Sequence, residues 1–251
     1  MERIESPKNP KIKAWKKLHT KRGREKSALF MIEGRHLIEE ALKANLPFVE
    51  LIVREDEEIP KEWKAADVKP VEVTERVMKE LSETETPQGF AAVCELPENV
   101  NLPLEKGQYL FLDRIQDPGN LGTIIRTAHA VGVDGIVLSE GTADPYNSKV
   151  LRSTQGSLFH IPIQKMDLHE AISLSKENDV PVFGTSFDGS TYSAIEPQGS
   201  FALLVGNEGQ GVDPALLAET DQNIYIPLYG GAESLNVSVA AGILLYHLKL
   251  V

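Results

Sequence analysis

From residue 107 onward the chain repeats one pattern: a short, almost wholly apolar run, then a stretch with helical spacing. Tyr109–Asp113, Gly135–Ser139, Phe201–Val205 and residues 222–226 read as strands. Phe159–Ile163 and Pro181–Gly184 read as extended. Residues 120–132, 146–155, 167–178, 213–219 and 236–249 read as helices. A strand that is apolar on both sides must be covered on both faces, and regular strand–helix alternation makes such a sheet parallel. An α/β domain over residues 107–251 is therefore expected.

The first part of the chain has a different rhythm. Ala28–Ile32, Phe48–Val53, Val71–Val73 and Phe90–Glu95 read as strands. Helices are expected over about 10–20, after Glu33–His36, and from Thr74 to Leu81. Ile12, Trp15 and Leu18 recur at helical spacing, which favours packing of Trp15 onto the body over stacking on a base. Short alternating elements of this kind suit a small α/β sandwich. Leu96–Pro103, with two prolines and two asparagines, is the best linker candidate. The 251 residues thus divide into an expected domain at 1–96 and a second at 107–251.

Charge is distributed unevenly. The net charge of −11 argues against a nucleic-acid partner. Residues 1–26, however, hold ten Lys and Arg, among them Lys11, Lys13, Lys16 and Lys17, against three acids. That segment is +7 and leaves −18 on the rest. A basic arm on an acidic body is a pattern used for phosphate contact, and equally for a solvated helix face. Cys94 is the single cysteine, so no disulfide forms within the chain. Met1–Pro7 lacks the apolar core of a signal peptide, and no apolar run reaches membrane-spanning length. A cytoplasmic location is expected. The six histidines show no ligand spacing, and no metal is expected.

Three segments carry chemistry. Residues 225–246 run from a strand end through Gly230-Gly231 and Ser234-Leu235-Asn236 into an apolar helix. Polar residues in a glycine loop between strand and helix sit where α/β folds bind ligands. By itself Asn236 is equally well a helix cap. Leu112–Ala128 contains Asp117-Pro118-Gly119-Asn120, which reads as a type II turn with Asn120 capping the next helix. There Ile124, Ile125, Ala128 and Val131 face inward and Arg126 lies off the stripe. Leu203–Pro214 contains Gly206-Asn-Glu-Gly-Gln-Gly211 after a strand. It has neither the dinucleotide glycine order nor a phosphate-loop lysine, so a loop offering backbone groups to an adenosine is the better reading. Glu208 at a strand end wants a cation, and Arg126 is the obvious one.

In this order the three segments resemble the signature motifs of the SpoU/TrmH family of RNA ribose 2′-O-methyltransferases, and residues 30–95 resemble the small substrate-binding domain that precedes many of them. The resemblance implies an S-adenosylmethionine cofactor, a ribosomal-protein-like fold for the first domain, a carboxyl-terminal knot in the second, and a homodimer. It places Arg126, Asn120, Glu208, Ser234 and Asn236 in the catalytic set. Gly206, Ile226 and Leu235 would line the cofactor site. Glu33, Gly34, Arg35, Gln88 and Gly89 would face RNA, together with the lysines of the basic segment. Arginine stays protonated in proteins, so Arg126 is read as holding the phosphate and hydroxyl of the acceptor while proton transfer occurs late. The two-domain layout resembles enzymes acting on ribosomal rather than transfer RNA. The rival readings are an RNA-binding protein that kept the fold without catalysis, and a nucleotide-linked oxidoreductase.

Overall fold

A computed structural model describes residues 2–65 and 68–249. Met1, Leu250 and Val251, which end the two expected domains, lie outside the described residues. The chain separates into two compact units, one of residues 1–98 with 146–159, the other of 99–145 with 160–251. The helix expected near 146–155 therefore belongs to the first unit, although its sequence falls between strands of the second.

In chain order the first unit contains β1 (Glu2–Ile4), α1 (Pro10–Lys17), α2 (Lys21–Ser27), β2 (Leu29–Glu33), α3 (Arg35–Lys43), β3 (Phe48–Arg54), β4 (Pro70–Val73), α4 (Glu75–Leu81) and β5 (Phe90–Glu95). The strands form one sheet in the order β1-β4-β3-β5-β2. β1 and β3 run parallel to β4, while β5 is antiparallel to both β3 and β2. Ile12, Trp15 and Leu18 of the first helical region are buried with Ile4, Val71, Val77 and Met78.

The basic segment is therefore not a loose arm. Its first residues add a strand to the sheet, and its helix supplies core side chains. The expected single helix at 10–20 breaks after Lys17, because Thr20 caps a second helix by accepting from Gly23 N at 3.1 Å. A Cβ on Gly23 would sit 1.8 Å from Lys17 O, so only glycine lets the two helices meet this closely.

The second unit begins with β6 (Gln108–Leu112), α5 (Pro118–Val131) and β7 (Gly135–Leu138). After α6 (Ser148–Thr154), which belongs to the first unit, come β8 (Ile163–Lys165), α7 (Leu168–Glu177), β9 (Val182–Thr191), β10 (Phe201–Val205), α8 (Pro214–Glu219), β11 (Gln222–Tyr225) and α9 (Val237–Leu248). All pairings in its sheet are parallel, in the order β11-β9-β10-β6-β7-β8. Tyr109, Phe111, Val182 and Leu204 form a core with Leu168 and Ile172 of α7 and Leu216 of α8. Strand side chains alternate, so Leu110, Leu112 and Leu203 face the other side, where α9 packs on β10 and on α5.

From β6 the chain winds outward to β7 and β8, then returns to β9 and β10 on the opposite side of β6. The winding reverses between β6 and β10. In a parallel sheet, ligands bind beyond the carboxyl ends of the strands at such a reversal. The loops 113–117, 206–213 and 226–236 all leave that edge. Among the described residues no helix is long and apolar enough to cross a membrane.

Candidate active site

Helix α5 begins earlier than the sequence suggests. Asp117 is its cap, with Oδ1 accepting from Asn120 N at 2.8 Å, and Pro118 is the first helical residue. Pro118-Gly119 is thus the opening of a helix and not the centre of a type II turn. An Asp followed by Pro is a strong helix start, because proline lacks the amide that would be unbonded there. The shift leaves the Asn120 side chain free for other partners.

Those partners join the three motifs. Asn120 donates through Nδ2 to Glu208 Oε1 at 3.1 Å, and its Oδ1 accepts from Asn236 Nδ2 at 2.8 Å. Asn236 Oδ1 in turn caps α9, accepting from Ser238 N at 2.9 Å and from the Ser238 hydroxyl. Glu208 also accepts from Gln116 N at 3.4 Å and Asp117 N at 3.3 Å. The expected Glu208–Arg126 pair does not form. Free amides at the start of a 14-residue helix, with its dipole, satisfy the carboxylate instead.

A second clasp holds the same loops together and was not anticipated. Asp113 is buried and accepts from Arg114 Nε at 2.8 Å, Arg114 Nη2 at 3.0 Å and Asp213 N at 2.9 Å. Arg114 O accepts from Asn207 Nδ2 at 2.9 Å. Arg114 holds a left-handed backbone, φ 52°, where glycine is the usual occupant. The only hint in the sequence is an acid directly after an apolar strand. With both clasps closed, segments 113–117 and 207–213 are zipped side by side.

The remaining expected residues fall as follows. Arg126 is exposed on α5, with no hydrogen bond or ion pair to any described residue. Ser234 is exposed and equally unbonded. Gly206 is buried, and a Cβ there would lie 2.1 Å from Val212 N, so its loop folds back on itself only with glycine. Ile226 is half-buried and Leu235 exposed. Among the described residues, 227–235 make no hydrogen bond, and a Cβ on Gly230 or Gly231 would meet nothing within 4 Å. The stretch 227–235 holds no Lys or Arg and one acid, Glu233, so its unbonded amides and carbonyls suit an uncharged adenosine better than a phosphate, and the donor set fits S-adenosylmethionine.

In the first unit the cations separate into two classes. Lys11 bonds Glu2 at 2.9 Å and Glu50 at 2.8 Å, Lys16 pairs with Glu80, and Arg35 pairs with Glu39 at 2.8 Å and Glu62 at 3.5 Å. The carboxylates, Glu50 first, raise the Lys11 ammonium above its ordinary value. Lys13 and Lys17 are exposed, one turn apart, and unpaired among the described residues.

A sequence profile described as the SpoU rRNA Methylase family matches residues 107–246. The chain belongs to this family. Residues 9–92 match a profile described as the MRM3-like substrate binding domain. The Bacillus subtilis protein RlmP, a 23S rRNA (guanosine(2553)-2′-O)-methyltransferase, is 51% identical over 99% of this chain and 100% of its own length. A solved structure of an AdoMet-bound rRNA methyltransferase from Sinorhizobium meliloti superposes with a TM-score of 0.89 at 33% identity, covering 98% of this chain and 97% of that one. The AviRb methyltransferase of Streptomyces viridochromogenes with AdoMet gives 0.84 at 27% identity, covering 96% and 97%. This SpoU protein is an S-adenosylmethionine-dependent RNA 2′-O-methyltransferase. The non-catalytic and oxidoreductase readings are set aside.

Proposed function

We propose that this SpoU enzyme methylates the ribose 2′-hydroxyl of 23S ribosomal RNA at the guanosine that matches position 2553 of the Bacillus relative. The site geometry supports the chemistry: one hydrogen-bonded chain, Asn236–Asn120–Glu208, gathers three distant segments at the carboxyl edge of the sheet. The end-to-end likeness to RlmP supports the substrate.

When bound, S-adenosylmethionine supplies a methyl group made transferable by its sulfonium. Gly206, Ile226 and Leu235 hold it through backbone groups. The enzyme's task is then to fix the acceptor hydroxyl in line, which is a matter of orientation. Arg126, with its guanidinium unengaged by described residues, grips the acceptor phosphate and hydroxyl through charge-assisted hydrogen bonds. Ser234 borders the acceptor nucleotide. Asn120 and Asn236 act by keeping the α5 and α9 starts in register, and Glu208 by fixing the start of α5.

Residues 1–96, with segment 146–159, serve as the RNA-capturing unit. Lys13 and Lys17 provide phosphate contacts, and Arg35, Lys11 and Lys16 join only by exchanging their carboxylate partners. Two copies associate through α9, and the enzyme works in the cytoplasm. The end of α9 threads through the preceding chain as a knot. Support for this comes from Gln198 N donating to Leu248 O at 2.7 Å and His247 Nε2 meeting Ile195 O at 2.8 Å.

Transfer of labelled methyl to a 23S rRNA transcript, with the modified residue mapped, tests the reading. Arg126→Ala should bind cofactor like the parent and lose roughly 10²–10⁴-fold in single-turnover transfer. Arg126→Lys should recover little, because an ammonium lacks the planar fork. Modification at another nucleotide refutes the substrate assignment, and near-parent turnover in Arg126→Ala refutes the role of the arginine.

A further inference from the structure

One side chain on the loop that carries Ser234 and Asn236 stands almost wholly in water. Tyr229 is 96% exposed. Its ring and hydroxyl have no partner among the described residues. An aromatic side chain typically buries 150–250 Å² and gains its stabilisation that way, so this tyrosine contributes almost nothing to its own fold. Open space surrounds the glycines that follow it, Gly230 and Gly231.

The surroundings indicate what covers the ring. Ile226, Pro227 and Leu228 before Tyr229 are half-buried, and Gly230, Gly231, Ala232 and Glu233 follow it, so no exposed apolar stripe adjoins the ring along the chain. The exposed face of α9 is different: Val239, Ile243 and Tyr246 recur at i, i+4 and i+7, the contiguous apolar surface that a protein partner requires. A nucleobase requires only one flat ring face. Sequence-specific RNA recognition splays bases out onto aromatic side chains. Ser234 lies five positions after Tyr229, a reach of at most roughly 17 Å. The ring is therefore confined to the acceptor nucleotide or its near neighbours.

We propose that Tyr229 is a stacking platform for an RNA base at or next to the methylated nucleotide. The proposal rests on the RNA-methyltransferase reading and adds a base-binding residue to it. The phenol hydroxyl has no part in it, so any flat aromatic should serve.

The test uses the full chain with a 23S rRNA transcript containing the guanosine that matches position 2553, and measures RNA affinity, single-turnover transfer, S-adenosylmethionine affinity and sedimentation mass. Tyr229→Ala should weaken RNA binding by roughly 5- to 150-fold, the range for one base–aromatic stack. Cofactor affinity and mass should stay at parent values. Tyr229→Phe and Tyr229→Trp should restore most of the affinity, and Tyr229→Leu should not. Parent-like RNA binding by Tyr229→Ala overturns the proposal, as does a leucine variant that matches phenylalanine. Loss of parent mass in Tyr229→Ala also overturns it, by assigning the ring to a second copy. A parent that neither binds nor methylates the transcript refutes the substrate assignment and this proposal together. A parent that binds and methylates the transcript, matched in both by Tyr229→Ala, refutes only this one.

Discussion

Asn236 donates to Asn120 across 2.8 Å, and 116 positions of chain separate the two residues. This bond ties the start of α9 to the start of α5. Asn120 passes the connection on to Glu208. Loss of either asparagine therefore breaks the same connection. Asn120→Ala and Asn236→Ala should each lower transfer, and the double variant should cost clearly less than the two losses combined. Interaction energies of roughly 0.5–3 kcal/mol are usual for residues in one network. Single-turnover rates for the four members of the cycle check this, and strict additivity would show that the bond does not contribute to catalysis.

The folded state of the basic segment determines how RNA binding should be probed. Deleting residues 1–26 would remove β1 and the buried Ile12, Trp15 and Leu18, and so would unfold the first unit. Charge reversal at exposed positions avoids this. Lys13→Glu with Lys17→Glu should leave the melting temperature within a degree or two and reduce the slope of log affinity against log salt. Each lost phosphate contact is worth about 0.7–0.9 in that slope. An unchanged slope removes this helix face from the RNA interface.

Helix α9 makes a prediction about assembly. Its buried side carries Ala241, Leu244, Leu245 and Leu248, yet Val239, Ile243 and Tyr246 remain exposed at 51%, 37% and 61%. A symmetric pair would cover them. Sedimentation at micromolar concentration should give twice the 27.7 kDa chain mass, and Ile243→Glu should shift it to the monomer without loss of helix content. A parent that is monomeric across that range excludes the interface.

His169 and Glu219 give a pH signature within the second unit. His169 Nδ1 lies 2.8 Å from Glu219 Oε1, and this bond raises the imidazole above its ordinary value. A raised histidine contributes stability that is complete below its unfolded value, near pH 6.5, and lost as pH rises through the folded value. Both groups are about half exposed, so screening limits the effect to at most about 1 kcal/mol. Glu219→Gln should lower the melting temperature slightly below about pH 6 and leave it unchanged above about pH 9. An equal shift at both values would mean that the pair acts through packing alone.

The sequence alone determined the class of fold. Continuous apolar runs such as Tyr109–Leu112 and Phe201–Val205, too short for buried helices, read as strands covered on both sides, and local chemistry marked Asn236 as a helix cap. Candidate residues were also legible, because Asn120, Arg126, Glu208 and Asn236 stand in short local motifs. Their partners were not legible. Charge suggested Arg126 for Glu208, but a carboxylate needs only donors, and the start of α5 supplies amides that no side-chain pattern reveals. The Asp113–Arg114 clasp was hidden because its other half, Asp213, lies on another strand's loop. The basic segment looked like a tail because charge is read residue by residue. Only the tertiary structure showed Ile12 and Trp15 in the core and Lys11 bonded to carboxylates brought from elsewhere in the unit. Local sequence sets backbone preference and which face is apolar. Which polar groups meet depends on strand order, and strand order is set by packing the whole sheet.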